Sequence, residues 1–435
     1  MITQKEYQKR RKDLALCLPG ECLAVVPSAR DSLRNGDSHY RFRQDSDFYY
    51  LTGFNEPDCL LLITSGARSE SILFNRPREP TAEQWTGRRL GQEDAPRALG
   101  VDAAFSFELL GDRLPELLAG KKTVFFSFGR HPVLENRLMN AWTVVVGQAR
   151  RGVEGPSGFT DLAPILGEMR LMKSEAELAL MRRAVEISVA AHQRAMRATP
   201  KASFEYQLEA ELMYEFFRGG CRSVAYDPIV ASGSNACVLH YTDNNQSLNS
   251  GDLVLVDAGG EFENYAADIT RTFPVNGRFS AEQRVIYELV LSAQKAGIAL
   301  VKPGCLWDEV QKTIVQKITA GLVEIGVLKG SVAELVEEEA YKPFYTHTSG
   351  HWLGLDVHDS GSYQVMGKWR PLKPGMTLTV EPGIYISPSQ PGVDPRWLGI
   401  GVRIEDDIVV TENGSETLSS GLAVEVDEIE AILRD

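Results

Sequence analysis

The sequence predicts two domains, an N-terminal α/β domain of residues 1–172 and a second domain of residues 173–435 that ends in a β-rich region. Three observations support this. The chain has 435 residues, more than one ordinary domain and enough for two full hydrophobic cores. Short apolar runs alternate with helical segments in the first part, which is typical of α/β layers. The sequence SEAE at residues 174–177 is a capping box, which marks the start of a helix and of the second domain.

The first domain is predicted to open with a basic helix over residues 5–18 and to contain a further helical piece over residues 107–118. Its strands are predicted from apolar runs rich in β-branched and aromatic residues. These runs are residues 22–26, 48–51, 60–64, 71–74 and 123–128.

In the second domain, apolar residues at helical spacing predict a helix from the capping box to about residue 198. His192 lies on this helix and is expected at the surface or at the edge of the core. Further helices are predicted over residues 204–218, 283–301 and 307–325, as cover for a sheet. The region of residues 344–432 is predicted to be β-rich.

Composition excludes several classes of function. The formal net charge of −13 argues against nucleic-acid binding, because phosphates need a cationic surface. No apolar run reaches the length of a membrane span, and the first residues lack the apolar core of a signal peptide, so we expect a cytoplasmic protein. The 6 cysteines show no metal-binding spacing and are expected to be reduced. The glycine-containing segments match neither a P-loop nor a dinucleotide fingerprint.

Ionisable residues are placed around one pair of predicted strands. The segment LVLVDAGGEFENYAADITRTF, residues 253–273, places Asp257 at the end of an apolar run and Asp268 near the start of the next strand-like stretch. If the two strands pair, both carboxylates point at one spot, with Thr270 on the same face as Asp268. Adjacent buried carboxylates repel, so they need a shared proton, a cationic partner or a metal.

Three later motifs also place an ionisable residue in or beside an apolar run. They contribute His351 in GHWLGLDVHD, Glu381 in VEPGIY and Glu405 in RIEDD. Together with Asp257 and Asp268 these residues make an oxygen-rich set with one imidazole. Two divalent cations would balance its four negative charges. The mixture suits Mn²⁺, Zn²⁺ or Co²⁺ better than a calcium cage or a thiolate zinc site.

The chain contains the motifs VDAG, DITRTF, GHWLGLDVHD, VEPGIY and RIEDD in this order. These five motifs resemble those of the aminopeptidase P and prolidase branch of the pita-bread metallopeptidases. The segment HYRFRQDSDFYYLTGFNEPD, residues 39–58, also resembles bacterial aminopeptidase P, so the similarity extends over most of the chain. The resemblance implies an α+β catalytic domain of the pita-bread type behind a smaller α/β domain. It also implies a homo-oligomer, a dimer or a tetramer. Trp85 would then contact a neighbouring subunit, although ordinary packing explains this residue as well.

The resemblance also implies a role for each site residue. Asp257 and Asp268 would bind one metal ion, His351 and Glu381 would complete the second, and Asp268 and Glu405 would bridge the two ions, with Mn²⁺ the expected metal. Glu381 is the candidate general base. Three further candidates, His240, His347 and His358, would contact the substrate in the pocket. Arg403 and Tyr385 would support a carboxylate ligand, and Asp359 would either orient His358 or lie at the surface. The pocket walls would include Trp352, Tyr385 and His240.

The leading hypothesis is a metal-dependent aminopeptidase that releases the residue before a proline in second position. Prolidase is the first alternative. It has the same metal ligands but cleaves only Xaa-Pro dipeptides. Methionine aminopeptidase fits less well, because it generally lacks such an N-terminal domain. A relative that binds peptides without metal or turnover is the alternative from another class, although retention of the whole ligand set argues against it.

Overall fold

The computed structural model of the chain describes residues 1–434. They fall into two compact units, the first ending at Arg170 and the second beginning at Leu171. The boundary expected from the sequence, between residues 172 and 173, lies close to this division.

The first unit is built on a six-stranded mixed sheet with strand order β6-β5-β4-β1-β7-β8. The two central strands, β1 and β4, are completely buried, and they pair antiparallel. The elements of this unit are α1 (Gln4–Cys17), β1 (Cys22–Pro27), β2 (Leu33–Asn35), β3 (Ser38–His39), α2 (Ser46–Thr52), β4 (Leu60–Thr64), β5 (Ser71–Asn75), α3 (Pro80–Thr86), α4 (Gly91–Leu99), β6 (Ala103–Ser106), α5 (Leu110–Leu118), β7 (Thr123–Phe126), α6 (Pro132–Val146), β8 (Gly158–Thr160) and α7 (Ala163–Leu171), which leads out of it.

The strand predicted over residues 48–51 is wrong, because these residues lie in helix α2. The Asp45 side chain accepts a hydrogen bond from the Phe48 N–H and caps the helix, and Gly53, at φ 61°, ends it. Every residue of α2 is buried. A short run that is buried on all sides shows no periodicity, so the sequence pattern alone cannot separate a strand from a helix here.

The second unit combines long helices with several small sheets. Its elements are α8 (Glu175–Ala198), α9 (Glu205–Gly219), β9 (Ser223–Val224), β10 (Ile229–Ser232), β11 (Leu253–Asp257), β12 (Gly260–Phe262), β13 (Tyr265–Ala266), β14 (Thr270–Pro274), α10 (Ala281–Leu300), α11 (Trp307–Glu324), α12 (Val332–Glu337), β15 (Gln364–Val365), β16 (Lys368–Trp369), β17 (Thr377–Val380), β18 (Gly383–Tyr385), β19 (Gly401–Arg403), β20 (Asp406–Val410), β21 (Ser415–Thr417) and α13 (Val426–Ile432).

Three of these sheets carry the candidate ligands. They have the strand orders β10-β11-β14, β17-β20-β21 and β18-β19. Strands β11, β14, β17 and β20 are buried along their whole length. Any charged side chain at the ends of these strands is therefore withdrawn from water, and its partners have to come from the protein or from a bound ion.

The strand-like stretch that was predicted to contain Asp268 is interrupted. Residues 265–266 form β13, which pairs with β12, whereas β14 begins at Thr270 and pairs with β11. The chain therefore changes sheets between the two strands. Asp268 lies in this connection rather than inside a strand.

Helix α8 supports the connection between β11 and β13 with polar side chains from its buried face. The Ser188 hydroxyl accepts a hydrogen bond from the Gly260 N–H at 2.9 Å, and Nε2 of His192 lies 2.9 Å from the Ala258 carbonyl oxygen. The expectation that His192 is at the surface or the core edge is wrong, since its side chain is fully buried. The polar partner lies 66 residues away in the sequence, and the pattern of the helix gives no sign of it.

Within residues 1–434, no helix combines the length and the apolar character needed to cross a membrane. All six cysteines are free.

His192 is expected to make the stability of the protein depend on pH. Burial lowers the pKa of His192 to about 4, from an ordinary value of 6.5. Between these values the unfolded chain binds a proton that the folded protein does not. The free energy of unfolding therefore falls as the pH falls through this window, and His192 contributes no slope above it. At pH 5 the loss amounts to roughly 2 kcal/mol.

The measurement is denaturant unfolding of the native protein and of His192→Gln at pH 7.5 and pH 5. The variant keeps an N–H donor but cannot titrate, so it should lose less stability between the two pH values. His39→Gln is the matched control, because His39 lies exposed in β3. Equal pH dependence of all three proteins would contradict the prediction.

Candidate metal centre and substrate cavity

Asp257 is the last residue of β11, and both neighbouring strands fix its position. It lies opposite Ile229 of β10 and Thr270 of β14, so the predicted pairing of the Asp257 strand with the strand next to Asp268 is confirmed. Asp268 precedes β14 by two residues, and its backbone N–H donates to the Asp407 carboxylate at 3.0 Å. The two aspartates therefore approach the same end of this sheet.

His351 and Glu381 are placed by β17 and the chain beside it. The Thr379 N–H donates to the His351 carbonyl at 2.9 Å, and the Glu381 N–H donates to the Ser349 carbonyl at 2.9 Å. Residues 349–351 therefore run alongside the end of β17. Gly350 permits this close approach, because a Cβ at that position would lie 2.1 Å from the Thr379 carbonyl oxygen.

Glu405 stands between β19 and β20 and is joined to β14. Its backbone N–H donates to the Thr270 carbonyl at 3.1 Å, and the Thr270 hydroxyl donates to the Glu405 carboxylate at 2.7 Å. Thr270 therefore connects the strand that follows Asp268 with the last acidic residue of the set. Three separate parts of the chain, near residues 257–270, 349–381 and 403–407, meet at one place.

The side chains converge closely enough to hold a metal ion. One ligand atom each of Asp268, His351 and Glu405 lies within 4.8 Å of the others. Nε2 of His351 lies 3.3 Å from Oδ2 of Asp268 and 3.6 Å from Oε1 of Glu381. Four of the five predicted ligands are therefore mutual neighbours around the imidazole and the Asp268 carboxylate.

The His351 ring is oriented as a metal ligand requires. Its Nδ1 lies 2.9 Å from the carbonyl oxygen of Trp352, which can only accept a hydrogen bond. The Nδ1 atom therefore carries the hydrogen when the ring is neutral, and the lone pair of Nε2 faces the carboxylates. A backbone carbonyl that fixes the tautomer in this way is the usual arrangement for histidine ligands.

Asp257 joins this group through Tyr226, a residue that the sequence analysis did not identify. The Tyr226 hydroxyl lies 2.5 Å from Oδ1 of Asp257 and 2.5 Å from Oδ1 of Asp268. One hydroxyl carries one hydrogen, so it can donate to only one of these oxygens at a time. The contact shows how closely the two carboxylates approach. Nothing in the pattern around Tyr226 distinguishes it from an ordinary packed tyrosine.

Arg403 holds the other side of Asp257. Its Nη2 lies 2.5 Å from Oδ2 of Asp257, its Nη1 donates to the Tyr385 hydroxyl at 3.0 Å, and its Nε donates to the Thr270 hydroxyl at 3.2 Å. The guanidinium is thus fixed by three partners and is buried. Its charge and planar geometry suit the task of fixing one carboxylate, as expected from its position two residues before Glu405.

Burial and mutual repulsion raise the pKa values of the acidic residues. Burial, together with the charge of Asp268, raises the pKa of Glu381 to about 7 and that of Glu405 well above its ordinary value. Burial also raises the pKa of Asp257, although Arg403 opposes the shift. For His351, burial lowers the pKa, but the hydrogen bond and the charge of Asp268 outweigh it and raise the pKa to about 9.

These shifts show a negative cluster that needs more positive charge than the side chains supply. The donor atoms are carboxylate oxygens and one imidazole nitrogen, a set that Mn²⁺, Zn²⁺ and Co²⁺ all accept. The orientation of His351 and the convergence of the carboxylates both fit a bound divalent ion. The residues present therefore fit a metal centre.

The cluster forms one wall of a cavity of about 650 Å³. It is lined by the five predicted metal ligands, Asp257, Asp268, His351, Glu381 and Glu405, and by four further candidates, His240, His347, His358 and Arg403. The remaining wall includes Ile229, Leu239, Val357 and Tyr363. Apolar surface beside a compact polar cluster is typical of a site for a small organic ligand.

The three pocket histidines are held in different ways. Nε2 of His347 lies 2.8 Å from the Tyr385 hydroxyl, and burial lowers the pKa of His347 to about 4, so this ring is neutral near pH 7. The His358 ring packs edge-on against His351 with centroids 4.3 Å apart. His240 is exposed, and its ring makes no hydrogen bond to any other residue of the described chain.

Two expectations about the surroundings are corrected. Asp359 is not at the surface, because it forms a buried ion pair with Lys173 at 2.7 Å. Both side chains are only 1% exposed, and this pair fixes the chain next to His358. Trp352 and Tyr385 are not cavity walls, and both are buried. Trp352 stacks on Tyr363, which lines the cavity itself, and the Tyr385 hydroxyl accepts a hydrogen bond from Arg403.

Comparisons with known proteins agree with this geometry. A sequence model of metallopeptidase family M24 matches residues 179–412, and a model of the aminopeptidase P N-terminal domain matches residues 7–125. The chain is 45% identical to the Xaa-Pro aminopeptidase of Escherichia coli strain K12 over 434 residues, which cover 99% of this chain and 98% of that protein.

Solved structures of two bacterial relatives match over the whole chain. The aminopeptidase of Pseudomonas aeruginosa is 49% identical and superposes with a TM-score of 0.97, covering 100% of this chain and 98% of the other. The zinc-substituted E. coli aminopeptidase P in complex with product is 44% identical, with a TM-score of 0.96 and the same coverage. The expected fold, a pita-bread catalytic domain preceded by a smaller α/β domain, is confirmed.

Three findings lead to one assignment. A family model covers more than half of the chain, close relatives match along its whole length, and the carboxylate cluster fits a metal. The chain belongs to metallopeptidase family M24, in the branch that carries the aminopeptidase P N-terminal domain, and is a hydrolase.

Proposed function

We propose that this protein removes the N-terminal residue from peptides whose second residue is proline. The observation that carries the proposal is the convergence of Asp268, His351, Glu381 and Glu405 on the wall of one cavity. Relatives that match the chain along its whole length are named Xaa-Pro aminopeptidases, which supports the same substrate class.

The proposed cofactor is a pair of divalent ions, with Mn²⁺ the expected metal. Asp257 and Asp268 would hold one ion, His351 and Glu381 would complete the site of the other, and Asp268 and Glu405 would bridge them. Four carboxylates balance two divalent charges. The zinc-substituted relative supports tolerance of Zn²⁺ as well.

When bound, the metal pair lowers the pKa of a water molecule and polarises the scissile carbonyl. The protein supplies the proton transfer through Glu381. This carboxyl lies on the cavity wall beside His351, where it can accept a proton from a water molecule held by the neighbouring ligands. Glu381 is therefore the proposed general base, which passes the proton on to the leaving nitrogen.

The pocket histidines are proposed to hold the substrate. His358 and His240 are candidates to donate to the carbonyl oxygen, on which negative charge develops during attack. His347 is fixed against Tyr385, and Tyr385 receives a hydrogen bond from Arg403. Arg403 acts as a positioning residue, because it orients Asp257 rather than the substrate.

A proline in second position sets special demands. The bond before proline is a tertiary amide without an N–H, and the ring fixes the backbone dihedral angle. The pocket therefore needs a flat apolar wall rather than an acceptor for that missing hydrogen. Tyr363, stacked on Trp352, and the apolar side chains of Leu239 and Val357 offer such a wall.

Prolidase is the alternative on the same fold. The full-length match to Xaa-Pro aminopeptidases favours the aminopeptidase. A homo-oligomer and a cytoplasmic location stay predictions. The exposure of Trp85, at 85%, argues against packing within the chain and supports contact with another copy.

The proposed activity is tested with protein stripped of metal and then reloaded with Mn²⁺. Ala-Pro-Ala and Ala-Pro are offered separately, and free alanine is measured. We expect release of alanine from the tripeptide, little release without metal, and recovery after reloading, because the metal pair activates the attacking water. Cleavage of the dipeptide alone would assign prolidase, and cleavage of neither would favour a peptide-binding protein.

Two substitutions separate the proposed roles of the acidic residues. Glu381→Gln keeps an oxygen atom that can bind a metal ion but loses the group that accepts the proton. The kcat for Ala-Pro-Ala should therefore fall at least about 100-fold, with a much smaller change in KM. Asp268→Ala removes a carboxylate that would bind both proposed ions, so bound metal, measured by elemental analysis, should fall with activity.

The control for Asp268→Ala is Asp427→Ala, since the Asp427 side chain is 86% exposed and remote in sequence from the cluster. This variant should retain its metal and its activity. Full activity in Glu381→Gln, or unchanged metal content in Asp268→Ala, would contradict the assigned roles.

A further inference from the structure

Glu205 is a buried carboxylate outside the metal centre and takes part in none of the steps described above. It is the first residue of α9 and is 0% exposed. Its Oε1 accepts hydrogen bonds from the Ser232 N–H at 2.7 Å, from the Ser232 hydroxyl at 2.8 Å and from the Asn235 amide at 3.1 Å. Its Oε2 accepts from the Tyr241 hydroxyl at 2.8 Å and from the Gln246 N–H at 2.9 Å.

All five donors are neutral, and they belong to one stretch of chain. Glutamate is rarely buried without a cationic partner, and the compensation here comes from hydrogen bonds and from the start of a helix, where negative charge is favoured. A carboxylate that accepts several hydrogen bonds holds the donor residues in place more firmly than a single hydrogen bond does. Glu205 therefore ties residues 232–246 to α9.

The tied stretch carries part of the cavity wall. Leu239, His240 and Thr242 line the cavity. In the sequence, Leu239 and His240 lie between the donors Asn235 and Tyr241, and Thr242 directly follows Tyr241. No strand or α-helix is formed between β10 and β11. The His240 ring has no hydrogen bond of its own within the described residues, so its place depends on how the backbone on both sides is held.

A second contact from the same helix is much weaker and provides a comparison. Glu209, one turn after Glu205, accepts a single hydrogen bond from the Asn244 amide at 3.0 Å. Asn244 has two other partners, Val230 and Pro228. Loss of charge at Glu209 therefore leaves residue 244 attached, whereas loss of charge at Glu205 affects donors on both sides of His240.

We propose that Glu205 is a positioning residue that holds the His240 side of the substrate cavity and so sets substrate affinity. The proposal rests on the proposed peptide-cleaving function of this cavity. Glu205 acts through residues 232–246 and not through the metal ligands, so its loss should weaken substrate binding without removing metal.

The test compares the native protein with Glu205→Gln, Glu205→Asp and the control Glu209→Gln. In Glu205→Gln an amide NH₂ replaces one oxygen and faces donors, so KM for Ala-Pro-Ala should rise about tenfold, with kcat within about threefold. Glu205→Asp keeps the charge and should recover part of the affinity. Glu209→Gln should match the native protein, and bound metal should be equal in all four.

Amide hydrogen exchange gives a readout that does not depend on activity. In Glu205→Gln, peptides that cover residues 232–246 should exchange faster, whereas peptides that cover β11 and β14 should not change. If the protein fails to cleave proline peptides at all, this measurement still shows whether Glu205 holds residues 232–246 in place. If Glu205→Gln does not fold, Tyr241→Phe removes one donor and should give the same effects in smaller degree.

Unchanged exchange over residues 232–246 together with unchanged KM would overturn the proposal. Loss of metal with a matching fall in kcat would also overturn it, because Glu205 would then support the metal centre rather than the cavity wall.

Discussion

The structure of the second unit depends on one electrostatic constraint. The carboxylates of Asp257, Asp268 and Glu405 are buried, and that of Glu381 is largely shielded, so that four acidic groups lie around one site. Each would be costly alone in a protein interior, and together they repel. The raised pKa values of Glu381 and Glu405 express that cost. Two divalent ions would offset it and would convert a source of instability into a reactive site.

The fold meets this constraint by bringing strand ends together from distant parts of the sequence. Asp257 ends β11, Asp268 comes two residues before β14, Glu381 directly follows β17, and Glu405 directly precedes β20. Buried neutral and cationic groups then fix each carboxylate in place. Arg403 and Tyr226 hold Asp257, Thr270 holds Glu405, and α8 supports the chain between the two aspartates. The acidic residues therefore stand at or beside strand ends and are held there by hydrogen bonds from neighbouring strands, from α8 and from Tyr226.

The sequence alone predicted which acidic and imidazole side chains would be brought together. Asp257, Asp268, His351, Glu381 and Glu405 stand out because each places an ionisable group at an apolar run, and the structure collects all five around one cavity. Their supports were harder to find. Tyr226 and Glu205 look like ordinary residues of a loop and a helix, and Lys173 meets Asp359 across 186 residues of sequence. Such contacts are long-range and polar, and they leave no periodic pattern. Helix α2 was missed for a related reason, since complete burial removes the period that separates a helix from a strand.

We propose that this carboxylate cluster binds two divalent ions. The most direct measurement is the number of ions bound per chain, by equilibrium dialysis of metal-free protein against Mn²⁺ with elemental analysis, together with the thermal midpoint of each form. We expect two ions per chain and a higher thermal midpoint in the loaded protein, because binding to the folded state stabilises it. A protein that binds no Mn²⁺, or that is equally stable with and without it, would contradict a dinuclear metal site.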